Sequence, residues 1–344
     1  MLIAWIVFGP KTPSTFNLAL YFSFSIDCIF AFVSCEFIFQ SKIRNGSAGY
    51  HSNGFLFFIY IWVRLILHKF SDMKKTILSV FVLAALMVVA SCSKKKELVL
   101  ESDQYGVAQK INPDEKSVYL VFTGHYSTDD DGYFENFDGA APVVEILAEH
   151  GVKGSFFPTG NCFRVEKYQQ TLKDIIEQGH YLSAHSDKHL LLCSYEDRNV
   201  NLVTEDSLAR DIQGMEAELE KLGLKKEQYL WMIPPYEYYN QFSADALRKL
   251  GYKLVNPTEG LVTGLDWMGP EDPSYHSAQQ LLDNIWNYEK EHTLNGAVIL
   301  VHAMNYPNRT DDDRLYTHLG EIIEKLKEKG YGFKTFKDVI EAEK

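Results

Sequence analysis

The sequence predicts an α/β fold in which a parallel sheet is closed into a (β/α) barrel. From Ser117 onward, short apolar segments typical of strands alternate with amphipathic segments long enough to form helices. This alternation is typical of βαβ units, in which a helix connects two parallel strands. Several such units fit between residues 116 and 344, which suits a barrel whose chemistry lies at the carboxyl ends of its strands.

Apolar runs define the predicted strands, and glycines end most of the predicted helices. Strands are predicted at 118–122, 153–157, 181–184, 229–233, 253–255 and 297–301. Helices are predicted at 141–149, 163–178, 208–222, 243–250, 278–288 and 313–329, followed by a short final strand and helix. Thr204 is a candidate N-cap for the helix at 208–222, because its hydroxyl can accept a backbone N–H, and Gly223 is the expected stop.

The composition excludes two function classes. The 344 residues carry a formal net charge of −12, which argues against a nucleic-acid binder that relies on a basic face. Five cysteines in a chain of this length are too few for a disulfide scaffold. The acidity is concentrated in residues 93–344, which contain 27 basic and 43 acidic residues.

The first 92 residues predict targeting rather than part of the fold. Residues 73–92 are typical of a signal peptide, with two lysines before an apolar run. They end in Val-Ala-Ser-Cys, which resembles the lipobox of bacterial lipoproteins and implies lipidation of Cys92. Residues 1–72 are apolar and are expected to be a misassigned extension upstream of the true start at Met73. The alternative is that they form membrane-spanning segments.

The remaining chain divides into a short tether and one large domain. The polar residues 93–115 are expected to be a linker, and residues 116–344 the catalytic domain. Together with lipidated Cys92, this predicts a bacterial protein anchored in the cell envelope, either periplasmic or in the outer membrane.

Polar side chains follow the predicted strands, where a barrel enzyme places its chemistry. The clusters are Thr123 to His125 with Asp129 to Asp131, Thr159 to Asn161, His185 to His189, Pro235 to Glu237, Asp266 with Trp267, and His302 with Asn305.

His185 and His189 are four residues apart, so on a helical turn their imidazoles would share a face and suit one metal ion. Two solvated histidines are the alternative. A carboxylate after a neighbouring strand would complete an open site of two histidines and one acid.

The motifs and their order resemble those of the polysaccharide deacetylases, carbohydrate esterase family 4 with its NodB-homology domain. His185-Ser186-x-x-His189 resembles the family's His-Ser-x-x-His motif. Val121-Phe122 with Asp130-Asp131-Gly132 resembles Thr-Phe-Asp-Asp-Gly, split by an insertion. Four further matches follow in the family's order: GSFFPTG at 154–160, Pro234-Pro235-Tyr236, Leu300-Val301-His302 and the closing Gly330-Tyr331-Gly332-Phe333. The resemblance implies a distorted (β/α) barrel of the NodB type.

The resemblance also implies roles for individual residues. The metal, most often zinc but also cobalt or nickel, would be held by Asp131, His185 and His189. Asp130 would be the general base, and His302 the general acid for the departing amine. The backbone N–H of Tyr236 would help to hold the oxyanion.

Two departures from the family pattern affect these assignments. Residues 123–128 interrupt the first motif, which makes His125 a possible extra metal ligand. Ile233 stands where the family has the arginine that orients the base, and isoleucine can neither donate a hydrogen bond nor carry charge. Glu237 and Asp266 are therefore candidates for a rearranged polar network.

The sequence thus predicts a metal-dependent hydrolase that removes N- or O-acetyl groups from a polysaccharide or peptidoglycan and cleaves carbon–nitrogen bonds other than peptide bonds. The expected partners are an acetylated glycan and the lipid anchor, without nucleic acid. Two alternatives stay open, a hydrolase of another amide on the same fold and a non-catalytic lipoprotein that binds glycan.

Overall fold

The structure is a computed structural model that describes Ile61, residues 97–183 and residues 185–344. Cys92, the predicted signal peptide and the predicted extension apart from Ile61 lie outside the described residues, and their assignments stay predictions. Among the residues that the structure describes, no helix has the length and apolar character needed to cross a membrane.

A curled sheet forms the frame of the domain. Its strands are β1 (Leu100–Ser102), β2 (Ala108–Ile111), β3 (Ser117–Gly124), β4 (Ser155–Pro158), β5 (Tyr181–Leu182), β8 (Ala297–His302) and β9 (Gly332–Lys334). The order across the sheet is β1-β2-β8-β3-β4-β5, with β9 also paired to β3. The central strand β3 pairs in parallel with β4, β8 and β9, whereas β1 and β2 add an antiparallel edge. Every residue of β3 is buried, as expected for a strand covered on both faces.

A second, two-stranded sheet contacts β2 on one side and β5 on the other, which brings the first sheet close to a barrel. It consists of β6 (Trp231–Met232) and β7 (Lys253–Leu254), which are parallel. A bridge between Ala108 and Val255 links the end of β7 to β2. On the other side, the Tyr181 hydroxyl of β5 donates to the carbonyl of Trp231 and accepts from its N–H. The predicted distorted (β/α) barrel is confirmed.

Helices alternate with these strands, as predicted. They are α1 (Ala140–Glu149), α2 (Gly160–Phe163), α3 (Gln169–Glu177), α4 (Glu205–Lys221), α5 (Gln241–Lys249), α6 (Ala278–His292), α7 (Leu319–Glu328) and α8 (Phe336–Glu343). The predicted N-cap is confirmed, because the Thr204 hydroxyl accepts the N–H of Ser207 at the start of α4. Buried Leu208, Ile212 and Met215 recur at helical spacing along α4 and pack into the core.

Two predicted elements differ from the structure. The predicted helix 163–178 is broken, since Val165 has an extended backbone between α2 and the turn that leads into α3. The Tyr168 hydroxyl in that turn bonds the Phe137 N–H and the Asp138 carboxylate, a tertiary contact that periodicity does not reveal. Residues 93–115, predicted to be a linker, contain the two short edge strands β1 and β2. Because β1 is wholly exposed, its sequence lacks the apolar pattern by which a strand is predicted.

Successive side chains of the strands point to opposite faces of the sheet and pack in two separate apolar clusters. Val118, Leu120 and Phe122 of β3 pack in the larger cluster with the helices. Tyr119 and Val121 pack in the smaller one, which contains residues from six strands and from α8. Because side chains alternate between faces, the series that begins with Tyr119 and Val121 continues to Thr123. The equivalent series on β8 ends at His302, so both strands present polar residues at the same end of the barrel.

Candidate active site

A cavity of about 140 Å³ lies where these polar residues meet. Its walls come from the carboxyl ends of β3 and β8 and from the loops that follow β5 and β6. Among its lining residues are four histidines, two glutamates and three aromatic residues, namely His125, His185, His189, His302, Glu135, Glu237, Tyr195, Tyr236 and Trp267. A larger cavity of about 560 Å³ lies beside β2 and α6, but it contains none of the predicted site residues.

His185 and His189 lie in the loop after β5 and not on a helical turn. Both Ser186 and His189 have positive φ values, 69° and 55°, which no helix contains. The loop still brings the two imidazole rings together, with centroids 4.9 Å apart. The predicted proximity of the histidines is therefore present, although the helical spacing argument for it is wrong.

Side chains from outside the motif hold this loop in place. The Asp211 carboxylate of α4 accepts the backbone N–H groups of Asp187 and Lys188, at 2.9 and 3.0 Å. Arg164, after α2, pairs with the buried Asp187 carboxylate and with Glu218 of α4. Sequence reasoning missed these supports, because they come from chain segments that only the fold brings to the loop.

His185 is fixed by the residue that replaces the family's arginine. Its Nδ1 lies 2.8 Å from the carbonyl oxygen of Ile233, which can only accept, so Nδ1 carries the proton. The Ile233 side chain packs in the smaller apolar cluster and is fully buried. Burial lowers the pKa of His185 to about 3, so the imidazole is neutral and Nε2 presents a lone pair. That lone pair faces Glu237 Oε1 at 3.4 Å.

Glu237 reaches the cavity through a strained turn after β6. Tyr236 and Glu237 both have positive φ, 61° and 51°, and two consecutive non-glycine residues in this region carry a conformational cost. Burial raises the pKa of the Glu237 carboxyl to about 7, although nearby His302 opposes the shift. Its Oε1 atom is buried without a hydrogen-bond partner among the described residues.

The same turn brings Tyr236 over His189. The two rings stack with centroids 4.1 Å apart, and the Tyr236 N–H donates to His189 Nε2 over 3.4 Å. His189 Nδ1 is buried without a hydrogen-bond partner in the described part of the chain. The Tyr236 N–H, the predicted oxyanion donor, thus lies at the cavity and points to His189.

His302 and Asp266 form the tightest polar pair of the site. Asp266 accepts the His302 Nδ1–H at 2.5 Å and the His302 backbone N–H at 2.8 Å. Burial by itself lowers the pKa of His302, but the charge and hydrogen bond of Asp266 outweigh it and raise the pKa. Sequence reasoning identified both residues but not that they contact each other.

The structure does not place Asp130 and Asp131, the predicted base and metal ligand, among the residues that line the cavity. Asp130 accepts backbone N–H groups of Gly132, Phe134 and Glu135 in its own loop, at 2.9 to 3.3 Å. Asp131 lies beside it with φ at 52° and is not among the lining residues. Both aspartates belong to a turn.

The insertion expected within the first motif is also absent, because β3 runs unbroken through Phe122, Thr123 and Gly124. These three residues pair in register with Phe156, Phe157 and Pro158 of β4. The positions directly after the matched Val-Phe therefore carry threonine and glycine where the family motif has two aspartates.

His125 and Glu135 form a further pair on the cavity wall. His125 Nε2 lies 2.9 Å from Glu135 Oε2, and its Nδ1 lies 3.2 Å from the Thr159 hydroxyl. Both ring nitrogens thus have protein partners, so His125 offers no free nitrogen for its predicted role as an extra metal ligand. Glu135 had no sequence signal, since it lies outside the family motifs.

Comparison with known proteins agrees with this arrangement. Residues 110–255 match the family model described as polysaccharide deacetylase. This part of the chain is therefore similar to the polysaccharide deacetylases. The peptidoglycan-N-acetylmuramic acid deacetylase PdaA of Bacillus subtilis (strain 168) is 26% identical over 246 residues, which cover 71% of this chain and 79% of PdaA. An uncharacterized 30.6 kDa protein of Geobacillus stearothermophilus is 24% identical over 238 residues, 69% of this chain and 76% of that protein.

Among solved structures, a mutant of BA3943, described as a CE4 family pseudoenzyme, has a TM-score of 0.50 to this chain. It is 18% identical and covers 69% of this chain and 72% of its own, and the wild-type protein comes from Bacillus anthracis. At this level of identity the likeness concerns the fold alone.

The family's metal provides a test of the cavity. Within residues 97–183 and 185–344, no three His, Cys, Asp or Glu side chains are gathered closely enough to hold a metal ion. Two of the three family ligand positions, His185 and His189, are nevertheless present. Buried Glu237 Oε1 and His189 Nδ1 lack partners, and imidazole and carboxylate donors suit zinc and similar divalent ions. The donor chemistry fits a divalent metal, while the family's acid at the end of β3 is missing.

Proposed function

We propose that this chain hydrolyses acetyl groups on the nitrogen, or the oxygen, of a polysaccharide or peptidoglycan. The observation that carries the proposal is the buried His302–Asp266 pair, which faces the same cavity as His185, His189 and the Tyr236 N–H. A proton donor, two metal-type ligands and an oxyanion donor are the groups that amide hydrolysis needs.

Each of the chain's own groups has one task in this reaction. Asp266 fixes the ring of His302 through Nδ1, so Nε2 is the atom that delivers a proton to the departing nitrogen as the carbon–nitrogen bond breaks. The Tyr236 N–H donates to the carbonyl oxygen as negative charge develops there. A divalent ion beside His185 and His189 would supply polarisation of the acetyl carbonyl and a lowered pKa for bound water.

The names of relatives support the substrate class. PdaA is named a peptidoglycan-N-acetylmuramic acid deacetylase, and a Bacillus cereus protein 24% identical over 198 residues is named a peptidoglycan-N-acetylglucosamine deacetylase. The exposed ring of Tyr236 and the nearby Trp267 border the cavity, and aromatic faces of this kind pack on sugar rings. We propose zinc as the metal, with cobalt or nickel as substitutes, and a lipid anchor on Cys92 in the cell envelope.

Acetate release tests the proposal. The purified full chain, stripped of metal and then given Zn²⁺, is incubated with N-acetylated chitooligosaccharides, with peptidoglycan and with an O-acetylated polysaccharide. The wild-type chain is expected to release acetate from at least one of these substrates, and the His302→Ala variant is expected to release none. If no substrate releases acetate while the metal is bound, the acetyl-hydrolase proposal is wrong, and other amides become the next substrates.

A second candidate function is glycan binding without catalysis. It is favoured by Thr123 and Gly124, which replace the family's two acids at the end of β3, and by Ile233 in place of the arginine. Binding of the same oligosaccharides without metal and without acetate release would support this candidate. Acetate release that depends on His302 would exclude it.

A further inference from the structure

The end of β3 is closed to the carboxylate that the family motif places there. A Cβ atom built on Gly124 would lie 2.2 Å from Cδ2 of Phe137, far inside contact distance. Phe137 is 1% exposed and packs in the larger apolar cluster, so it cannot move aside freely. An aspartate at position 124 is therefore excluded by packing, and a negative ligand has to come from another wall of the cavity.

Glu237 is the carboxylate placed to do so. Its Oε1 lies 3.4 Å from His185 Nε2, and both residues line the cavity that Gly124 also borders. Two ligands bound to one tetrahedral zinc ion at about 2.1 Å from it are about 3.4 Å apart. The separation of this oxygen and this nitrogen is thus that of two donors to one ion.

The hydrogen-bond roles of the two atoms lead to the same conclusion. His185 gives its ring proton to the Ile233 carbonyl through Nδ1, so Nε2 is an acceptor. Glu237 Oε1 is a buried oxygen without a hydrogen-bond partner among the described residues. A divalent cation placed between these two atoms would be bound by both, because each offers a lone pair.

The backbone of the turn that carries Glu237 is conformationally strained. Tyr236 and Glu237 both adopt positive φ directly after Pro234-Pro235. Residues in this region are held there by their surroundings, and such strain clusters at functional sites. Here the turn directs the Glu237 carboxylate into the cavity and the Tyr236 N–H toward His189.

We propose that Glu237 replaces the family's aspartate as the anionic ligand of the divalent ion, beside His185, whose Nε2 lies 3.4 Å from Glu237 Oε1. The inference rests on the proposed function only in placing a metal at this cavity. In this chain the carboxylate has moved from the end of β3 to the turn after β6. The loss of the arginine at position 233 agrees with the move, because the acid that the arginine orients in the family is absent from β3 as well.

The test is cobalt binding to the metal-free full chain, followed by the visible absorption of bound Co²⁺ and by competition with Zn²⁺. The variants are Glu237→Gln, which keeps the size but removes the charge, and Glu135→Gln as the matched control on the same cavity. His185→Ala marks complete loss of the site. Thermal unfolding of each metal-free variant confirms that the fold is retained.

Glu237→Gln is expected to weaken Co²⁺ binding by about 100-fold and to change the absorption bands, because a charged ligand is lost. Glu237→Asp should bind with an intermediate affinity, and Glu135→Gln should stay within about 3-fold of wild type. Wild-type affinity and spectrum in Glu237→Gln, with loss in His185→Ala, would overturn the ligand assignment while leaving the proposed hydrolysis intact. If the wild-type chain binds the metal and Glu237→Gln does not, the ligand assignment is supported. If the metal-loaded wild-type chain then releases no acetate, the proposed hydrolysis is rejected while the assignment stands.

Discussion

The ends of β3 and β8 lie side by side, and they differ in chemistry. Thr123 and His302 are direct partners in the parallel register, so the two strands deliver neighbouring positions to one cavity. β8 ends in a histidine held by a buried carboxylate, whereas β3 ends in threonine and glycine. The comparison shows that two neighbouring strand ends of one cavity can differ completely in titratable groups, since β8 carries a histidine–carboxylate pair and β3 carries no acid.

The largest expected effect comes from removing the group at the end of β8. His302→Ala should lower acetate release by about 10²- to 10⁴-fold, since positioned proton donors contribute that much. The initial rate is measured at saturating Zn²⁺, and metal content serves as the control. Activity close to wild type would show that the β8 end is not the proton-transfer wall.

A smaller effect is expected when the partner of His302 is changed. Asp266→Asn removes the charge that raises the pKa of His302, so the pKa should fall. An acid must be protonated to act, so activity is lost as pH rises through its pKa. The alkaline limb of the pH–rate profile should therefore move to lower pH, with a rate loss of roughly 10²-fold. An unshifted limb would mean that His302 does not act as the acid.

The end of β3 is tested through stability. Gly124→Ala adds one methyl group against Phe137, so overpacking should lower the free energy of unfolding by about 1–3 kcal/mol. Chemical denaturation of the metal-free protein measures the change. Gly332→Ala is the control, because its φ is not positive and its Cβ would meet only the Lys116 carbonyl oxygen at 3.8 Å, an ordinary contact. Equal stability of Gly124→Ala and wild type would show that the β3 end has room for a side chain.

The smallest effect concerns a histidine outside the cavity. The Gly154 N–H donates to His180 Nδ1, and burial, helped by the Lys153 charge, lowers the pKa of His180 to about 4. The unfolded chain then binds more protons than the folded one between about pH 6.5 and pH 4, so stability falls as pH decreases through that window. His180→Asn keeps an acceptor but does not titrate, and it should reduce this loss by on the order of 1 kcal/mol. An identical pH dependence in both proteins would contradict the assignment.

The sequence predicted the barrel and most of the site, and its errors share a cause. His185, His189, His302 and Tyr236 were found because they occupy fixed distances from strand ends or from proline pairs. Asp130 and Asp131 were chosen because the letters Asp-Asp-Gly match a motif, whereas the unbroken register of β3 places Thr123 and Gly124 directly after Val121-Phe122.

The remaining contacts of the site are long-range. Asp211 supports the histidine loop from α4, and Glu135 pairs with His125 from a loop without a motif. Glu237 was suspected from its neighbourhood, but its position opposite His185 depends on two positive φ values that no local pattern predicts. Sequence periodicity fixes which face a residue occupies, and it carries no information about which distant loop will meet that face.

The measurement that tests the account most directly is acetate release from an N-acetylated glycan by the full chain before metal removal, after chelation and after restoration of Zn²⁺. Acetate release is expected to disappear with the chelator and to return with zinc, at about one ion per chain. Release that persists at full rate in the metal-free protein, or a zinc-loaded protein that releases none, would contradict this expectation.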